Sequence, residues 1–72
     1  MLSLNNTGAT KFSDREIQVL KLIIGGKTNP QIAGELNISP LTVKTHRQNL
    51  LRKLNAENTA QMIANAGLKG LL

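Results

Sequence analysis

Apolar residues recur along this chain with helical spacing and never alternate. Beyond Phe12, residues Ile17, Leu20, Ile23 and Ile24 form one stripe, widened by Val19, while Asp14, Gln18 and Lys21 face the other way. A stripe this wide predicts a helix packed on more than one side. Ser13 followed three residues later by Glu16 is a capping box, and Phe12 can staple against Ile17, so the helix opens there. Gly25-Gly26 closes it, because glycine adopts the left-handed C-terminal conformation at little cost.

A second, shorter helix is predicted from Thr28-Asn29-Pro30. Either polar residue can cap it, and Pro30 stands where a missing N–H costs nothing. Ile32, Ala33 and Leu36 give its inner face, and Asn37, suited to a left-handed turn, ends it. Ile38 plugs the corner. Ser39-Pro40 repeats the cap-plus-proline pattern and opens a third helix reaching about residue 54, with a core stripe of Val43, Leu50 and Leu54 and with Leu51 at its edge. Asn55 can close that helix in place of glycine. Asn58 caps a fourth, over roughly residues 59 to 66, with Gly67 as its stop. Met62, Ile63 and Ala66 share its core face, whereas Ala60 and Ala64 lie on a small-residue face that permits close approach of another helix. The expected fold is all-α, with four helices.

Residues 1–11 mix Ser, Asn, Thr and Gly with two leucines and show no period, so a flexible arm or linker remnant is expected there. That leaves residues 12–72 as one domain. A domain this short buries only about 60% of the surface its unfolded chain exposes, so its stability leans on good caps or on a partner.

Composition then removes whole classes of function. With no cysteine there is no disulfide, thiolate nucleophile or cysteine-based zinc site, which suits a reducing cytosol. The longest apolar stretch, residues 19–24, is interrupted by Lys21 and falls far short of the ~20 residues of a membrane span. No apolar signal-peptide core follows the start. A cytoplasmic protein with no membrane partner is expected. His46 is the only histidine and has no carboxylate beside it on its helix. No metal, cofactor or catalytic role is expected of it, and no paired carboxylates or Ser/His/Asp arrangement suggests an enzyme.

Charge points to a partner instead. The formal net charge is +5, a footprint for a polyanion. Residues 39–54 hold Lys44, Arg47, Arg52, Lys53 and His46 and no acid. At about 100° per residue, Lys44, Thr45, Gln48 and Arg52 gather opposite the Val43–Leu50–Leu54 stripe, with Asn49 at their flank. Two short helices joined by a tight turn form a helix-turn-helix, whose second helix enters the major groove of DNA. Glutamine can read adenine, lysine can reach guanine, and a threonine methyl can meet the thymine methyl. Thr42, His46 and Arg52 are better placed for phosphates, as is the start of the second helix around Thr28. Arg47 projects toward the edge of the core stripe and suits a structural contact as well as a phosphate.

The residues Phe12-Ser13-Asp14-Arg15-Glu16, Gly26-Lys27-Thr28-Asn29, Gln31-Ile32-Ala33, Ile38-Ser39, Thr42-Val43-Lys44-Thr45-His46 and Arg52-Lys53-Leu54 resemble, as an ordered set, the LuxR-type helix-turn-helix. This is the output domain of NarL/FixJ-like response regulators, quorum-sensing regulators and GerE-like stand-alone proteins. The resemblance runs over residues 12–72 without a gap. It implies a four-helix fold whose third helix reads double-stranded DNA and whose fourth often pairs two monomers. By resemblance, Lys44, Thr45 and Gln48 fall on base-reading positions. Thr28, Asn29, Thr42, His46, Asn49 and Arg52 fall near backbone-contacting ones. The chain departs from the family pattern after Leu54, with Asn55 for glycine, Ala56 for valine and Thr59 for arginine.

The resulting expectation is a transcription regulator that binds repeated half-sites as a homodimer, with Ala60 and Ala64 at the dimer seam. The competing expectation is a protein-interaction module that binds RNA polymerase or a sigma/anti-sigma-like partner through the same basic helix. A polar face with no aromatic side chain disfavours it, because interface cores favour Trp, Tyr and Phe.

Overall fold

A computed structural model describes residues 11–71 of the chain. Apart from Lys11, the arm expected at residues 1–11 lies outside the described residues, as does Leu72. Four helices follow one another: α1 (Asp14–Ile24), α2 (Asn29–Leu36), α3 (Pro40–Lys53) and α4 (Thr59–Leu68). No strand occurs among the described residues.

Polar side chains fix where each helix begins. Ser13, Thr28, Ser39 and Asn58 hold extended backbone, and each accepts a hydrogen bond from the backbone N–H three residues on. The caps of α1 and α2 are full capping boxes, closed by the Glu16 and Gln31 side chains. Thr28 rather than Asn29 caps α2. Each helix also ends in the same way. Gly26, Asn37, Asn55 and Gly70 take positive φ, and the N–H of the following residue reaches back to a carbonyl five residues earlier. Those bonds run from Lys27 to Leu22 (3.1 Å), Ile38 to Ala33 (3.0 Å), Ala56 to Leu51 (2.8 Å) and Leu71 to Ala66 (2.9 Å). Such Schellman-type closure satisfies carbonyls that a helix end would otherwise orphan.

Two expectations need correction here. Gly67 does not stop α4. It lies inside the last turn, the helix runs on through Leu68, and Gly70 supplies the left-handed residue. Ile24 does not belong to the core stripe, since it is 38% exposed at the C-terminal end of α1, and Ile17 is only half-buried.

Helix α3 is the hub, packing against α2, α1 and α4. Val43 and Leu50 on its inner face and Leu54 just past its end meet Val19, Leu20 and Ile23 of α1, Ile32 and Ala33 of α2, and Met62 and Ala66 of α4 in one buried cluster. Ala33 is buried, as expected of a small residue at a helix crossing, and Ile38 packs against the core from the turn. Three polar contacts tie α4 to the hub. Arg47 donates to Thr59 Oγ1 at 2.7 Å, and Asn65 Nδ2 donates to the carbonyls of Leu54 at 2.8 Å and Asn55 at 3.4 Å.

Candidate nucleic-acid interface

Burying Val43, Leu50 and Leu54 leaves the opposite side of α3 facing outward. Lys44, Thr45, Gln48 and Arg52 are all exposed there, side by side at helical spacing. The core fixes the helix from behind, and the Ser39 cap with its following proline fixes its start. The tight turn at Asn37 sets its angle to α2. The sequence thus presents a polar face on a rigid support.

The structure divides the four basic residues of α3 into two pairs. Lys53 turns away from the outer face. Its Nζ donates to both carboxylate oxygens of Glu16, at 2.7 and 3.0 Å, and to the Lys11 carbonyl at 2.9 Å, and it lies 5.7 Å from the centre of the Phe12 ring. Glu16 also accepts from the Ser13 N–H at 2.9 Å, so one carboxylate serves both the α1 cap and a tie to α3. Burial pushes the Glu16 carboxyl upward. Hydrogen bonds from Lys53 and Ser13, together with the Lys53 charge, outweigh that and hold it below the ordinary carboxylate value. Arg47 is committed to Thr59, which fits its expected place at the core edge. Lys44 and Arg52 remain as the exposed cations of α3, on a helix that contains no acid.

The flanking residues differ in what they offer. Thr42 is exposed, with its hydroxyl 2.9 Å from Ser39 Oγ. Asn49 and His46 are half-buried, and His46 Nδ1 is buried without a hydrogen-bond partner, so Nε2 is the ring nitrogen left for an outside contact. Thr28 and Asn29 stand at the start of α2, on a separate element from the α3 group, with Thr28 engaged in its capping box. On α4, Ala60 and Ala64 are exposed, and Leu68, one turn further along the same face, is 86% exposed.

Sequence reasoning missed two features. The Lys53–Glu16 pair joins residues far apart in the chain, and no local pattern signals it. Leu41 is 71% exposed on the outer face of α3, and its spacing of three and four residues from Lys44 and Thr45 was the available signal. A groove of about 250 Å³ between α1 and α2 is lined by Gln18, Lys21, Leu22, Glu35 and Leu36 and includes no residue of α3.

Four short helices, a tight α2–α3 turn and an outward-facing polar helix define a helix-turn-helix domain. The model of a family described as bacterial regulatory proteins, luxR family, matches residues 10–66, and the chain belongs to that family. It is a family of DNA-binding transcription regulators, not of enzymes. SdiA, a regulatory protein of Escherichia coli K12, is 39% identical over 66 residues, which cover 92% of this chain and 28% of SdiA. YgeK, an uncharacterised response regulatory protein of the same strain, is 37% identical over 65 residues, covering 90% of this chain and 44% of YgeK. Among solved structures, the response regulator ChrA of a heme-sensing two-component system superposes with a TM-score of 0.84 at 33% identity, over 97% of this chain and 33% of ChrA. The chain therefore spans less than half the length of each of these relatives.

Proposed function

We propose that this chain binds double-stranded DNA sequence-specifically, with α3 in the major groove, and thereby regulates transcription. The observation that carries the reading is the outer face of α3. Lys44, Thr45, Gln48 and Arg52 stand together, exposed, on an acid-free helix whose other side is locked into the core. Lys44 reaches guanine O6 and N7, Gln48 pairs with adenine, and Thr45 contributes an apolar contact. Thr28, Asn29, Thr42, His46, Asn49 and Arg52 hold the backbone, His46 through Nε2. Affinity comes mainly from neutralised phosphates and specificity from the base readers.

Residues 12–72 form the binding unit, with the segment before them an arm or linker. Two copies pair through the face of α4 that carries Ala60, Ala64 and Leu68, so that two α3 helices meet repeated half-sites. A protein that reads a bacterial genome works in the cytoplasm, and no described helix is long and apolar enough to cross a membrane.

The two kinds of contact separate in variants. Gln48→Ala costs about 1–3 kcal/mol on the selected site and relaxes preference at one base pair, whereas Arg52→Ala weakens all sequences alike and lowers the salt slope by about one. Titrations of both variants on selected and random duplexes, at several salt concentrations, read the difference. Equal losses on both duplexes from both variants would refute this division of labour.

A further inference from the structure

A single exposed leucine needs no explanation in general, but Leu41 is singled out by its placement. It is 71% exposed in the first turn of α3 and shares the outer face with Lys44, Thr45 and Gln48. It belongs neither to the core cluster nor to the partly buried residues packed against it. Thr45 turns its hydroxyl inward, where Oγ1 donates to the Leu41 carbonyl at 3.2 Å. This back-bond to the preceding turn is one a helical threonine can make. With the hydroxyl proton so committed, Thr45 is not free to donate to a base edge, and its γ-methyl is the apolar group it can offer. Leu41 and Thr45, one turn apart, together make an apolar spot beside Lys44 and Gln48, on a face otherwise built of hydrogen-bonding groups.

A leucine cannot exchange hydrogen bonds with a base edge. The apolar group that unmodified B-DNA displays in its major groove is the C5-methyl of thymine. We infer that Leu41 is a specificity-determining residue, closing with the Thr45 methyl over the C5-methyl of one thymine in each half-site. The inference rests on the reading of α3 as the major-groove helix. It adds a fourth base-reading position and a base identity at one place in the site.

The test uses the full chain and the duplex recovered by selection from randomised oligonucleotides. Thymines are replaced one at a time by uracil, which deletes the methyl and leaves the hydrogen-bonding pattern intact. One replacement should weaken the wild-type protein about three- to five-fold, the worth of one buried methyl group. Leu41→Ala should lose a similar factor on the thymine duplex and be indifferent to that uracil. Thr45→Ser, which keeps the hydroxyl bond and removes the methyl, should lose part of the same discrimination. A wild-type protein that selects a sequence yet ignores every uracil overturns the Leu41 inference and leaves the major-groove reading standing. A further three- to five-fold loss by Leu41→Ala when that thymine is replaced by uracil, as independent contacts would give, also overturns it, and so does unchanged DNA binding by that variant. Failure of the wild type to select any sequence overturns the major-groove reading and this inference together.

Discussion

Replacing Lys53 by methionine keeps a long apolar stem and deletes the ammonium group, which separates structural from DNA-contacting charge on α3. In the native protein that ammonium satisfies both oxygens of Glu16 and the Lys11 carbonyl. The Glu16 side chain is only 6% exposed and that of Lys53 25%. Orphaning a charge in a fully buried pair costs about 3–5 kcal/mol, while an exposed pair is worth about 0–1 kcal/mol. A buried carboxylate with a quarter-exposed partner falls between, at about 1–3 kcal/mol. A domain of this size has about 4–10 kcal/mol of total stability. At about 4–8 °C per kcal/mol, the Lys53→Met melting temperature should drop by about 5–20 °C in circular-dichroism melts at neutral pH. The salt slope of DNA binding should stay as in the native protein. Arg52→Ala should show the converse, with stability within about 0.5 kcal/mol and a slope lower by about one. The pair also sets a pH dependence. Because the folded carboxyl of Glu16 titrates below its unfolded value, its contribution is fully present above the unfolded pKa. It is lost as pH falls through the folded one. Glu16→Gln should therefore be less stable at neutral pH and lack that portion of the acid-induced loss. A Lys53→Met protein with native stability and a reduced salt slope would refute the assignment of Lys53 to the fold.

Other expectations follow from individual positions. Gly34 lies within α2, exposed, with nothing within 4 Å of an added Cβ, so Gly34→Ala should stabilise the domain by about 0.5–1 kcal/mol in chemical denaturation. Asn55 holds φ 53; Asn55→Gly should be neutral or stabilising, and Asn55→Val should cost about 1–2 kcal/mol, read from the same curves. Ala64→Arg together with Leu68→Arg should abolish pairing of two copies on a repeated site in sedimentation experiments while leaving binding of one copy to a half-site intact. Undiminished pairing would remove α4 from the interface.

Local rules made most of the fold legible. Ser13, Thr28, Ser39 and Asn58 announce the helix starts, and Gly26, Asn37 and Asn55 announce three of the ends, because caps and left-handed turns act within a few residues. Gly67 misled because glycine also occurs inside a last turn, and Gly70 holds the positive φ. Ile24 misled because helical periodicity does not say where neighbouring helices stop covering a face. The outer face of α3 could be read from periodicity alone, as the residues opposite Val43, Leu50 and Leu54. The fate of its charges could not. Whether Lys53 faces solvent or Glu16 depends on how α1 packs on α3, and the inward hydroxyl of Thr45 depends on a rotamer.

The most direct test of the account is binding of the native chain to randomised duplexes, carried through rounds of selection and followed by fluorescence anisotropy over a range of salt concentrations. The account predicts a short repeated motif and an affinity that falls steeply as salt rises. Affinity that is insensitive to salt, or persistent binding that enriches no sequence, would contradict it.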